Sequence, residues 1–286
     1  MENRAKNFKF FFLGLLFLIA ALVWYAVFSE SREELEVAFL DVGQGDAIFI
    51  QALNGNQILI DAGPNKRVLR ELSNVMPFYD RSIDMLIATH PDSDHIGGMP
   101  DILDRFKIDY VLESGAGSES AVYSALGKIV EEKNINKILA RRGMKINFGE
   151  SAYLLILFPD RDVSDLDSND ASIVAKLVYA NTSFLLAGDS PSKIEKYLAE
   201  LSPESLDINV LKIGHHGSRT SSSEILLGYS SPDFAVISSG KDNRYGHPHQ
   251  EVLDLLDKFG IKVLRTDELG TIVFKTNGEN ITISPK

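Results

Sequence analysis

The chain reads as a layered α/β (α+β) protein, two sheets covered by helices, preceded by one membrane-spanning helix. Three observations predict this. From residue 35 on, strand-like runs come first, and then strands and helices alternate, twice over. Several apolar runs end directly in His or Asp, which places polar groups where a rigid sheet can aim them. Ahead of all of them lies a long uncharged stretch.

Taken in order, residues 1–9 carry Arg4, Lys6 and Lys9 and form a basic flank. Phe10 to Phe28 is 19 residues without a charge. As a helix it spans roughly 28 Å, close to the ~30 Å of bilayer hydrocarbon. Trp24 and Tyr25 sit near its far end, as interfacial aromatics do, and the basic flank predicts a cytoplasmic N-terminus with the remainder outside the membrane. A cleaved signal peptide is the competing reading, but its apolar core is ordinarily shorter, and Trp24-Tyr25-Ala26-Val27-Phe28 offers no small-x-small cleavage site. The expected organisation is an anchor at 10–28, a linker at 29–34 and one domain over 35–286.

In that domain, strands are expected at 35–40 and 47–53, separated by the Gly-rich turn 41–46, and again at 57–60 after Asn54-Gly55, a hairpin signal. Further strands are expected at 83–89, 108–113, 152–158, 172–179, 183–187, 208–213, 234–238, 262–265 and 271–275. Helical patterns fall at 65–73, 98–106, 119–132, 191–201, 222–229 and 248–259. Residues 160–170 read as the longest loop.

Composition bounds the function. The chain is 44% hydrophobic and 24% charged, an ordinary globular balance, with a net charge of −11. A domain this acidic is not a general nucleic-acid coat, because phosphate contacts need positive surface. There is no Cys, so disulfides and thiolate metal sites are both excluded.

The chemistry gathers at strand ends. His90, Asp92, Asp94 and His95 fall within six residues, after the apolar run 83–89 and before Gly97-Gly98. All six histidines are grouped: 90 and 95, 215 and 216, 247 and 249. Asp61 and Asp189 also end apolar strands. An Asp in that place is often a helix N-cap, and Asp189 before Ser190-Pro191 fits that reading alone. Beside grouped histidines, a ligand is the better reading. Imidazole nitrogen and carboxylate oxygen suit zinc or manganese.

His90-Pro91-Asp92-Ser93-Asp94-His95 resembles the H-x-H-x-D-H motif of the metallo-β-lactamase fold, with Asp92 in place of the middle His. Phe39–Ala47, Leu59–Gly63, His90–Gly98, Gly188-Asp189, His215–Ser218 and Asn243–Pro248 together resemble the C-terminal domain of the DNA-uptake (competence) proteins of the ComEC family, over residues 35–284. The resemblance does not extend to the multi-helix channel of those proteins. It implies a four-layer αββα sandwich with a two-metal centre at one edge. His90 and Asp92 would bind the first metal, Asp94 and His95 the second. Asp189 would bridge, His215 would be the last ligand of the second metal, and Asp61 would stand behind the histidines and orient them. The family's third His for the first metal has no counterpart, since no His lies between 96 and 214. Ser168, Asn169 or Asp170 falls near its place, so the first site is expected to be weaker or harder in character.

The implied chemistry is metal-assisted hydrolysis of a phosphodiester, with Zn2+ or Mn2+ lowering the pKa of a shared water towards ~7. Asp94, His216 and His247 are the expected catalytic groups, the two histidines as proton donors. Lys212, Ser218 and Arg244 are expected to bind substrate. A supporting hydrogen bond for His216 and a turn position for His247 are the alternatives. Lys212, Arg219, Lys241 and Arg244 are read either as a local positive mouth or as a solvated charged face. DNA is the expected substrate and the membrane the second partner, through residues 10–28. The rivals are a small envelope phosphoester and a non-catalytic uptake component.

Overall fold

The structure, a computed structural model, describes residues 2–29, 33–149 and 151–285. The chain divides into two units, Met1–Glu33 and Glu34–Lys286. In the first, one helix, Glu2–Ser29, takes in the basic flank as well as the apolar stretch. Its section Phe8–Tyr25 is long and apolar enough to cross a membrane, and every side chain in that section is exposed. Residues 30–32 of the expected linker lie outside the described residues.

Period-two alternation decides the layering of the second unit. The first sheet contains β1 (Leu35–Phe39), β2 (Ile48–Gln51), β3 (Gln57–Ile60), β4 (Ser82–Ala88), β5 (Lys107–Glu113) and β6 (Asn136–Leu139). The second contains β7 (Lys145–Gly149), β8 (Ala152–Phe158), β9 (Val174–Tyr179), β10 (Thr182–Leu186), β11 (Val210–Lys212), β12 (Phe234–Ile237) and β13 (Lys262–Arg265). The chain then returns to the first sheet with β14 (Ile272–Thr276) and β15 (Ile281–Pro285). The strand orders are β15-β14-β1-β2-β3-β4-β5-β6 and β13-β12-β11-β10-β9-β8-β7. Val37, Phe39, Ile58, Ile60, Met85 and Ile87 of one sheet meet Phe184, Leu186, Val210 and Val236 of the other in a shared core.

The alternate residues face outwards, onto helices. Ala38, Leu59, Leu86 and Ala88 pack with Val68, Leu72, Ile102, Leu103, Leu126 and Val130. On the far side Leu185, Leu211, Ala235 and Ile237 pack with Leu198, Leu226, Leu227, Val252 and Leu256. The result is helix, sheet, sheet, helix, in four layers. The helices Ala121–Glu132 and Glu224–Ser230 begin where sequence logic puts them: Ser120 and Ser223 accept from Tyr123 and Leu226 amides, each at 3.3 Å.

Three strands depart from the expected set: β6, β7 and β15. Asn136, Lys137 and Leu139 of β6 are exposed, and Lys145 and Asn147 of β7 likewise. All three lie at sheet edges, where one flank has no strand neighbour and the burial pattern that reveals a strand in sequence is weak.

Candidate metal centre

The strands β3, β4 and β5 run parallel, as do β10, β11 and β12. Loops leaving the carboxyl ends of such strands are where open sheets place their ligands. Ile60 of β3 pairs with Ile87 of β4, so the next residue, Asp61, lands beside Thr89 and His90. In the second sheet Leu186 pairs with Lys212, which brings Asp189 level with His215. The His215 amide donates to the Gly188 carbonyl at 3.3 Å.

Strain sits at these loop starts. Asp61, His215 and His216 have left-handed backbones, with φ of 57°, 48° and 54°. Each such residue costs on the order of 1–3 kcal/mol and persists only where its surroundings enforce it. The 41–46 turn is pressed against this region: a Cβ on Gly45, whose φ is 132°, would lie 2.1 Å from the Asp94 carbonyl oxygen. Only glycine fits there.

Three imidazoles are fixed through Nδ1. His95 Nδ1 lies 2.8 Å from Asp61 Oδ2, and the same carboxylate accepts from the Thr89 amide (2.9 Å) and hydroxyl (2.7 Å). Because the Thr89 proton goes to Asp61, His90 Nδ1 donates to the Thr89 oxygen at 3.0 Å. His216 Nδ1 donates to the Ser238 carbonyl at 2.9 Å. The Nε2 atoms of His90, His95 and His216 are thereby freed, and all three are buried with no hydrogen-bond partner. They converge on Asp189, at 3.3 Å from His95, 3.5 Å from His216 and 4.0 Å from His90. Asp94 Oδ2 lies 3.4 Å from His216 Nε2, and Asp92 Oδ2 3.6 Å from His90 Nε2. Buried polar atoms are almost always satisfied. A set of unpartnered nitrogens facing carboxylates, each anchored behind, fits a divalent cation.

The electrostatics point the same way. Burial pushes the Asp189 carboxyl up, but the imidazoles of His216 and His95 outweigh it and hold the group well below the ordinary carboxylate range. Burial pulls His95 and His216 down, and carboxylates reverse this. Asp189 and Asp61 raise His95 well above its usual value, and Asp189 and Asp46 raise His216 to about 9. The cluster of carboxylates demands positive charge, which protons or metal ions can supply.

Residues 40–241 match the metallo-β-lactamase superfamily. The chain belongs to that superfamily. It is 32% identical over 266 residues to ComE operon protein 3 of Bacillus subtilis, covering 85% of this chain and 33% of that protein. It is 29% identical to the competence protein ComA of Neisseria gonorrhoeae over 90% of this chain and 34% of that one. The chain thus spans about a third of the length of the curated relatives it matches. The resemblance to competence proteins read from the motifs holds. Among solved structures, Igni18, a metallo hydrolase of Ignicoccus hospitalis, is 16% identical with a TM-score of 0.55, over 85% of this chain and 99% of that one. CmlA, a diiron β-hydroxylase of Streptomyces venezuelae, is 18% identical with a TM-score of 0.53, over 82% and 53%. At such identities the likeness is one of fold, and the fold expected from the motifs is the fold observed.

Within this metallo-β-lactamase frame, the sequence-predicted residues fall in three places. His90, Asp92, Asp94, His95, Asp189 and His216 come together in one cluster, with Asp61 behind His95. Of the adjacent pair, His216, expected as a proton donor, is the one whose Nε2 meets Asp94 and Asp189. His215, expected as the last ligand, stands at the rim. Its Nε2 is 3.8 Å from Asp189, its Nδ1 is 3.1 Å from the Thr220 hydroxyl, and its side chain is 28% exposed. His247 packs beside both, with ring centroids 5.6 and 6.3 Å away. Burial, with the nearby charge of His216 and His215, pulls it down to about 4, so it is a neutral imidazole at pH 7.

The structure takes two expected substrate groups away from the mouth. Lys212 is wholly buried, ion-paired with Asp46, and donates to the Gly188 carbonyl at 3.0 Å. Ser218 is buried in the turn, accepting from the Thr220 hydroxyl at 3.0 Å. Arg244 is exposed and lines a cleft of about 540 Å³ that also touches Asp94, Arg67 and Tyr245. Where the family's third His is missing, the Ser168 hydroxyl donates to Asp92 Oδ1 at 2.5 Å. Asn169 Nδ2 lies 3.4 Å from His215 Nδ1, and Asp170 turns away to pair with Lys193. Sequence reasoning missed Asp46, although it closes the Gly-rich turn that carries part of the resemblance. It also passed over Tyr245, which lies within the resembling segment Asn243–Pro248, and it had no signal to find Arg67.

Proposed function

We propose that this chain is a membrane-anchored metallohydrolase that cleaves phosphodiester bonds of DNA, in a DNA-uptake setting. In this reading His90, Asp92 and Asp189 hold one divalent cation, and Asp94, His95, Asp189 and His216 hold the other. A donor set of nitrogen and oxygen without sulfur suits Zn2+ or Mn2+. Bound there, the cations supply Lewis acidity and activate water near neutral pH. The protein's own residues do the rest. Asp61, Thr89 and the Ser238 carbonyl lock the imidazoles in one tautomer. Arg67 and Arg244 offer guanidinium groups to phosphate oxygens at the cleft. His215, which burial lowers below its usual value, and His247 sit at the rim as neutral imidazoles able to accept a proton or a hydrogen bond. The helix Glu2–Ser29 would hold the domain at the outer membrane surface, with its basic end in the cytoplasm.

The observation that carries this reading is the convergence of three buried, unpartnered Nε2 atoms on Asp189. The competence relatives favour DNA. The test is cleavage of labelled single-stranded DNA by the full chain in detergent, loaded with zinc or manganese, beside Asp94→Ala. Cleavage by the parent that is lost in the variant is the expected result. A folded, metal-loaded parent that cleaves no DNA would sink the DNA reading. The net charge of −11 favours a second reading, a small envelope phosphoester, so turnover on a small phosphodiester is compared in the same assay.

A further inference from the structure

The loop that follows β12 carries a feature the metal centre does not explain. Tyr245 is 49% exposed and belongs to none of the three apolar cores. Its loop is nonetheless held in one shape. The Asn243 side chain makes four hydrogen bonds: Nδ2 donates to the Gly240 and His247 carbonyls, and Oδ1 accepts from the Tyr245 and His247 amides. The Tyr245 ring is stacked with His247, 5.7 Å between centroids at 22°. His247 in turn packs against His249 at 4.9 Å and His215 at 5.6 Å. A column of rings thus supports Tyr245 from the direction of the metal centre.

Two cationic side chains share the cleft with Tyr245. The Arg244 guanidinium lies 4.8 Å over its ring, and Arg244 Nη2 donates to its hydroxyl at 2.6 Å. Tyr245, Arg244 and Arg67 line the same cleft as Asp94. Arg67 enters it already paired with Asp41. An aromatic face on a rigid support, with positive charge at hand and the candidate metal centre beside it, matches the chemistry of a nucleotide within a strand. The base offers a π-face to the ring, and the phosphate offers oxygens to the guanidinium.

We propose that Tyr245 is a positioning residue: it stacks a base of the strand whose phosphodiester lies at Asp94, while Arg244 turns from the ring to a neighbouring phosphate. The proposal rests on the reading of the site as a DNA phosphodiesterase and adds strand selection. Bases paired inside a duplex have no free face to offer, so the platform favours single strands. Because every base has a π-face, it favours no sequence.

The experiment is a binding comparison, so it does not depend on turnover. The full chain in detergent, loaded with zinc, is titrated into fluorescein-labelled phosphorothioate oligomers, which resist cleavage. One is oligothymidine, and the other is abasic with the same length and charge. The expected result is binding of oligothymidine about fivefold or more tighter than of the abasic strand. Tyr245→Ala should abolish that ratio, and Tyr245→Phe, which keeps the ring, should retain it. No base preference in the parent overturns the proposal, and so does a preference that survives in Tyr245→Ala. The two readings fail separately. A chain that turns over a small phosphodiester but ignores bases refutes the platform alone. One that cleaves no phosphodiester yet shows the Tyr245-dependent preference refutes the hydrolase alone.

Discussion

Asp61 holds His95 by its back: Oδ2 lies 2.8 Å from Nδ1, and the freed Nε2 points at Asp189, 3.3 Å away. Asp61 is only 1% exposed, and both of its oxygens are engaged, by Thr89 and His95. Asp61→Asn would put an amide donor among these donors. Metal affinity should fall about 10- to 100-fold, as is usual when such a supporting carboxylate is lost. Chelator competition checks this, with circular dichroism confirming the fold.

Proton release should accompany metal binding. His216 is raised to about 9 against an ordinary 6.5, by Asp189 and Asp46 over the opposing effect of burial. A cation needs its neutral Nε2, so affinity should climb as pH rises towards about 9, by at most about tenfold per pH unit for each proton displaced. Calorimetry in buffers of different ionisation enthalpy counts the protons.

The same group predicts the stability of the metal-free chain. A folded-state pKa raised above the unfolded value stabilises fully below about pH 6.5, and that contribution is lost as pH rises through about 9. The loss is on the order of 3 kcal/mol. Urea unfolding in chelator at pH 6.5 and pH 9 reads it, and equal stability at the two values would count against the arrangement.

Lys212→Met should destabilise the protein by about 3–5 kcal/mol, because it leaves Asp46 buried without its cation. Pairing it with Asp46→Leu should recover much of the loss, since the uncompensated charge goes too. A thermodynamic double-mutant cycle by chemical denaturation measures the coupling.

Phe274 of β14 meets Phe39, Phe184 and Phe234 edge-on at 5.7, 5.7 and 6.0 Å, across both sheets. Phe274→Ala should cost about 3–5 kcal/mol through lost burial and a residual cavity. The midpoint of thermal unfolding would fall accordingly, and it can be followed by circular dichroism.

Much of this was legible in one dimension. The strands β1, β3, β4 and β8 fall where alternation or a continuous apolar run predicted them, because each is buried on at least one face and its pattern is local. His90, Asp94, His95 and Asp189 stood out as candidates because side chains at the ends of buried strands have few other reasons to be polar, and the structure brings them together. The edge strands β6, β7 and β15 left no such imprint.

By itself, then, the sequence determined the layers, the edge at which the polar groups collect and the nitrogen and oxygen character of the centre, since residue type and period suffice for these. Tertiary structure alone decided which of His215 and His216 turns inward, that Lys212 is spent on Asp46 rather than offered to substrate, and that Arg67 and Tyr245 share a cleft with Asp94. The reason is physical. The first depends on the sign of φ at two adjacent residues, and the others on the register of strands far apart in the chain. Neither quantity is written in the identity of any single residue.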